Sequence, residues 1–400
     1  MFFEILLFLF LGTTFGLLMG LIPGIHPNMV ILIVPALFAL GIDPILLIVF
    51  IVSLGITNVF TDYIPSILLG APDSESALSV LPGHKMLLEG RGYQAVKLSL
   101  IGGVLSVIFC FILLPIIILG IPELYHMIRP FIHFILLGIV SIMILTEKRL
   151  KKVLWCIVCF VLAGAIGILS FKLPVDNSLI LFPIFAGFFG MPFLIMNIKE
   201  KSGKIPWQQT EEEHIDKKMM IKSAFLGTVG GVFSGLLPGV GSSEIAGLAT
   251  TDKDEKSFLI TMGAITTANL VLSFSMLWLI GNARSGLGVA IDQMMKITQL
   301  EFSIMMITVI ASTGIAAILT LLIAKRMIKL VQKVDYSVIS KIILITIICL
   351  VYYFTGFLGL LVTGICCSMG IFVNLMNVKR GILMGVLILP TILFFAGMNI

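Results

Sequence analysis

The sequence predicts an all-α polytopic membrane protein made of two inverted repeats, each a helical hairpin broken at Pro-Gly and followed by about five transmembrane helices. Three observations predict it. The first is composition: 59% of the 400 residues are hydrophobic and 12% charged, with a mean hydropathy of +1.16. A soluble domain cannot hide so large an apolar fraction, so the medium around the chain is lipid. The second is a duplication. Residues 11–24 read LGTTFGLLMGLIPG and residues 226–239 read LGTVGGVFSGLLPG, identical at eight of fourteen positions. The third is charge. With the N-terminus outside, 22 of the 26 Lys and Arg fall on the inner face and only Arg129, Lys172, Arg284 and Lys296 outside, a strong positive-inside partition.

The elements follow in order. Apolar runs near 2–22 and 27–41 flank Pro23-Gly24, and runs near 219–237 and 240–250 flank Pro238-Gly239. Each pair reads as a hairpin returning to its starting side, since Pro-Gly stops a helix and eleven residues cannot cross ~30 Å of hydrocarbon. The run 2–22 is not a signal peptide, because Glu4 stands where a basic n-region belongs and no small-residue cleavage site follows. Spans are predicted near 44–70, 97–119, 130–146, 152–170 and 179–197, then near 258–281, 302–324, 339–355, 357–376 and 381–397. Five is odd, so the second half enters from the opposite side. The domains are therefore 1–197 (hairpin 2–41, spans 44–197), a solvated cytoplasmic linker 198–218, and 219–400 (hairpin 219–250, spans 258–397). Glycines at 12, 16 and 20, and again at 227, 231 and 235, line one helix face and permit close approach of a neighbour. The six cysteines all sit in apolar runs. Cys156-x-x-Cys159 has redox or metal spacing but no flanking His, Asp or Glu, so it reads as packing.

Three features define the candidate site. The hairpin tips come first: Pro23, Gly24, His26 and Asn28 in one, and Pro238, Gly239, Gly241, Ser242 and Ser243 in the other. Free amides and the positive dipole end of each returning arm favour an anion, and matched broken helices in two repeats are the signature of a secondary transporter. Next come the following spans, which correspond at an offset of 211 through Asn58/Asn269, Gly70/Gly281 and Ser74/Ser285. Polar groups there face protein or water, because an unsatisfied amide in hydrocarbon costs several kcal/mol. The third feature is acid: Asp62 and Glu244 are candidates for a coupling proton or cation, since a carboxylate at membrane depth costs at least ~2.5 kcal/mol. Each feature has a plainer reading beside this one. Four-spaced glycines pack helices, Pro-Gly makes turns, His26 caps a tip, Glu244 suits a helix start, and Asp62 nears the surface if its span ends at Pro65.

The duplicated G-x-x-x-G-x-x-P-G, the segment Ile67-Leu68-Leu69-Gly70-Ala71-Pro72, and Leu81-Pro82-Gly83-His84-Lys85 with Gly90-Arg91-Gly92 resemble the large permease subunit of the tripartite tricarboxylate transporters, in a short variant. Two departures fall at the site: His26-Pro27 in place of further glycines, and Phe60-Thr61-Asp62-Tyr63 in place of Tyr-Gly-Gly-Ser. The resemblance implies a multi-pass permease of the cell membrane that takes up a small carboxylate by symport with a proton or cation. It also implies a small membrane subunit and an extracytoplasmic binding protein as partners. A polyprenyl-phosphate translocase is the alternative, its lipid phosphate held by the same amides. An intramembrane enzyme is the weakest reading, as no HEXXH or Ser/His/Asp pattern appears. No cofactor, metal or nucleic acid is expected.

Overall fold

Long apolar runs become helices because hydrocarbon offers the backbone no partner outside itself. The protein is represented by a computed structural model, which describes residues 1–22, 34, 37–38, 40–68, 80–147, 149–199, 206–209, 215–236, 245–246, 254–281, 285–333 and 336–398. In the first half these form α1 (Phe2–Leu21), α2 (Pro44–Leu68), α3 (Val80–Leu88), α4 (Gly92–Ile128), α5 (Ile132–Leu145), α6 (Leu150–Ser170), α7 (Asn177–Phe185) and α8 (Met191–Lys199), the last two joined by a π-turn at Ala186–Gly190. The second half holds α9 (Lys217–Leu236), α10 (Glu255–Ile280), α11 (Gly286–Asp292), α12 (Gln299–Val331), α13 (Tyr336–Leu375) and α14 (Gly385–Phe395).

Nine of the described segments are long and apolar enough to cross a membrane. Two exceed one straight crossing: Gly92–Leu145 with 54 residues and Ser340–Leu375 with 36, against ~20 for a single span. Both are interrupted where the sequence predicts a boundary. A 3₁₀ turn containing Pro130 separates α4 from α5. Gly356 (φ 63°, ψ −157°) breaks α13, a backbone that residues with a Cβ rarely adopt. The predicted returning arms, 27–41 and 240–250, lie largely outside the described residues.

Packing inverts the soluble pattern. On α1 the buried residues are Gly12, Thr13, Gly16 and Gly20, while Phe2, Phe3, Leu6, Leu7, Phe10 and Leu18 are exposed. Small residues face the neighbour and large ones face lipid. The neighbour is α2 for α1 and α10 for α9, and the registers match. A Cβ on Gly16 would strike the Leu54 carbonyl, and one on Gly231 would strike that of Ile265. Gly12 backs onto Phe50 and Gly227 onto Thr261. These partners all differ by 211, as Asn58 and Asn269 do.

The halves are interlaced rather than side by side. Helix α4 lies on α10 of the other half, and α12 lies on α2. At the α4–α10 crossing a Cβ on Gly102 would collide with the Ile260 carbonyl, and one on Gly263 with that of Ser99. Ser106 Oγ donates across the crossing to the Ala264 carbonyl at 2.8 Å. A second core repeats the exchange, with α7, the π-turn and α8 against the later part of α13, and α14 against α6. There Gly187 meets the Thr363 carbonyl, and Gly167 that of Val386. Cys156 and Cys159 are buried in this core on α6, as packing residues.

One expectation needs correction. The linker is not merely solvated, because Gln208 is 4% exposed and grips the α3–α4 corner. Its Nε2 donates to the Leu87 carbonyl at 2.7 Å and the Pro206 carbonyl at 3.0 Å, and its Oε1 accepts from Gly92 N at 2.8 Å, while the neighbouring Gln209 N donates to the Gly90 carbonyl at 2.7 Å. Gly90 has φ +84°, and a Cβ there would meet the Trp207 carbonyl at 2.7 Å. Composition showed the linker's charge but could not show that one amide side chain matches three backbone groups.

Candidate functional site

The predicted tip residues (Pro23, Gly24, His26, Asn28, Pro238, Gly239, Gly241, Ser242, Ser243 and Glu244) all lie outside the described residues. Asn58, Asp62 and Asn269 are described, as are the helix ends that lead into both tips. Gly20, the last glycine of α1, backs onto the Asn58 carbonyl (2.9 Å from a built Cβ), the Thr61 side chain (2.8 Å) and the Asp62 amide (3.2 Å). In the second half Gly235 occupies the matching place, 3.4 Å from Asn269 Oδ1 by the same measure. Each glycine helix therefore brings its last glycine, Gly20 or Gly235, against the repeat-matched asparagine.

Helices α2 and α10 also meet each other. Tyr63 OH donates to the Gly263 carbonyl at 3.3 Å, while Gly55 faces Leu270 and Phe274. Advancing along α2 thus means retreating along α10, so the pair is antiparallel. Interpolating between those contacts brings Asn58 level with Asn269.

Asp62 lies in the C-terminal third of α2. It stands six residues before the end of α2, and the helix continues through Pro65 to Leu68 instead of breaking there. Proline has no N–H for the Thr61 carbonyl, so an acceptor is freed next to Asp62. Asn58, Asp62 and Ser66 share a face at four-residue spacing, and Ser66 Oγ donates to Asp62 Oδ2 at 3.1 Å. Thr57 and Thr267 are both fully buried, and among the described residues their hydroxyls find no partner. An orphaned buried hydroxyl costs ~1–3 kcal/mol. Two of them flanking the asparagine level make this a polar seam in an apolar core. Together the seam can offer amide, hydroxyl and carboxylate groups to a small ion or anion.

The corner where α3 and α4 meet α10 carries ionic structure. Lys85 Nζ pairs with Glu255 Oε1 at 2.5 Å, and Arg91 reaches Glu255 at 3.7 Å and also pairs with Glu89. The Glu255 bond holds Lys85 above its ordinary 10.5, and the Arg91 bond holds Glu89 below 4.5. His84 is 7% exposed. Burial depresses its pKa, opposed by the Nδ1 hydrogen bond to the Ile67 carbonyl, and its ring stands edge-on to Phe193.

The sequence profile of the Tripartite tricarboxylate transporter TctA family matches residues 6–385. The chain belongs to that family. It is therefore a multi-pass transporter protein of the cell membrane, and its family is that of tripartite systems, which include a binding protein and a small subunit. It is 33% identical to an uncharacterized protein of Methanocaldococcus jannaschii, over 98% of each chain. No solved structure matches it.

Sequence reading overlooked a third correspondence. At an offset of 207, Pro183/Pro390, Phe188/Phe395, Gly190/Gly397 and Met191/Met398 coincide. The signal was present but dispersed, and the exchange of α7–α8 and α14 across the second core makes it visible.

Proposed function

We propose that the protein is a secondary active permease for a small organic anion of the carboxylate class, coupled to a proton or cation. Its anion is held by the two Pro-Gly hairpin tips, which belong to inverted repeats. The observation that carries this reading is the matched register: Gly20 beside Asn58 and Gly235 beside Asn269, with α2 and α10 antiparallel at that level. An antiparallel pair of equivalent helices is what a pseudo-twofold axis in the membrane plane generates. Tip amides from His26, Asn28, Gly241, Ser242 and Ser243 favour the carboxylate. Asp62 and Glu244 take the coupling ion, and Asn58 and Asn269 complete the polar floor. A transport role accommodates these groups without a nucleophile or leaving group.

The test is uptake into proteoliposomes of radiolabelled citrate and smaller dicarboxylates, each supplied with the system's binding protein, under imposed sodium and pH gradients. Gradient-driven accumulation that disappears in Asn58→Leu and Asn269→Leu supports the reading. Flipping of a polyprenyl phosphate, with no carboxylate uptake, overturns it in favour of a lipid-phosphate translocase.

A further inference from the structure

Trp207 is 83% exposed, an unusual state for the largest apolar side chain, while the next residue is clamped in place by three backbone groups. The Trp207 carbonyl lies against the Gly90 backbone, which holds the residue at this corner. Two residues later Gly92 begins a membrane span. A tryptophan held beside the first turn of a span stands at the hydrocarbon–water boundary, where an indole is favoured.

The surroundings have the chemistry of one ligand class. Lys325, near the end of α12, lies over the Tyr93 ring at 5.4 Å, one residue from Gly92. That contact brings the exposed Lys325, Arg326 and Lys329 to the same corner. The described carboxylates there, Glu89 and Glu255, are already engaged by Arg91 and Lys85. Exposed Leu322 and Leu330 flank these cations along α12, and Leu88 is exposed at the end of α3. Cations interleaved with exposed leucines beside a membrane span suit a molecule with an anionic head and apolar tails.

We propose that this corner binds an anionic phospholipid, with the headgroup phosphate on Lys325, Arg326 and Lys329 and Trp207 at the headgroup–acyl boundary. The bound lipid thereby moors the linker to the membrane surface. The inference is independent of the transported substrate.

The chain has only three tryptophans. Trp155 packs on Phe372 and Trp278 stacks on Phe302, so a Trp155→Phe/Trp278→Phe double variant isolates the Trp207 signal. The difference between wild type and Trp207→Phe gives the same signal if the double variant folds poorly. The protein is reconstituted in nanodiscs of phosphatidylglycerol or of phosphatidylcholine, with and without lipid brominated near the top of the acyl chain. The expected result is blue-shifted Trp207 emission that brominated phosphatidylglycerol quenches strongly, with shielding from aqueous iodide. The preference for anionic over neutral lipid should fall about fivefold per cation removed across Lys325→Gln, Arg326→Gln and Lys329→Gln. Red emission quenched by iodide equally in both lipids overturns the proposal. Blue emission insensitive to brominated lipid also overturns it, because protein rather than lipid then covers the ring.

Discussion

Asp62 accepts a hydrogen bond from the Ser66 hydroxyl beside the carbonyl that Pro65 leaves free, and in the proposed function it takes the coupling ion. Asp62→Asn keeps the shape and removes the charge, so accumulation against a gradient should be lost while exchange of pre-bound substrate persists. Full accumulation by the variant would remove Asp62 from the mechanism. His84 makes a separate prediction. Its pKa is lower folded than unfolded, so the neutral ring's contribution is present above the unfolded value of 6.5 and is lost as pH falls below it. The thermal midpoint in detergent should decline on acidification from pH 7 to about 5, since the buried ring must be charged. His84→Gln should flatten that decline, and an unchanged slope would assign it elsewhere.

At the scale of elements, the molecule is held by backbone approaches that glycine alone permits. Gly102 and Gly263 face each other's helices across the α4–α10 crossing, with carbonyls where side chains would be. Gly263→Leu should separate the two helices, since overpacking costs about 1–3 kcal/mol even where only side chains must yield. The measurement is the thermal midpoint and monodispersity in detergent. Gly314 on α12 has open space at its Cβ and serves as the control, where Gly314→Leu should be tolerated. Equal behaviour of the two variants would contradict the close crossing.

The whole molecule is two interlaced halves, and that has a consequence for folding. Each half's second helix is covered by the other half's α4 or α12, so neither half can bury its own core. Residues 1–205 expressed alone should be degraded, and co-expression with residues 206–400 should restore a stable complex. Accumulation of the first half alone as a monodisperse species would argue that the cores are separable. Sidedness is tested by labelling. In a variant lacking the six native cysteines, a cysteine at position 205 should resist impermeant maleimide added from outside, because 22 of the 26 Lys and Arg partition with the linker. Labelling from outside would invert the assignment.

By itself the sequence determined the solvent, the class and the family. Hydrocarbon tolerates almost nothing but helices, so 59% apolar residues translated directly into spans, and the repeated LGT–GxxxG–PG segments marked the glycine faces that the structure buries. Asn58 and Asn269 stand out in the sequence as a repeat-matched pair of amides, and the structure sets Gly20 against the first and Gly235 against the second. Tertiary structure decided what no local pattern encodes: that α4 pairs with α10 and α12 with α2, and that Asp62 lies near the end of α2 beside Gly20. It also decided that Gln208 pins a linker whose composition reads as plain solvent-exposed chain. Local hydropathy fixes which residues leave water, because that depends on each side chain's own solvation. Which helix meets which depends on complementary surfaces far apart in the chain, and only the folded packing brings those together.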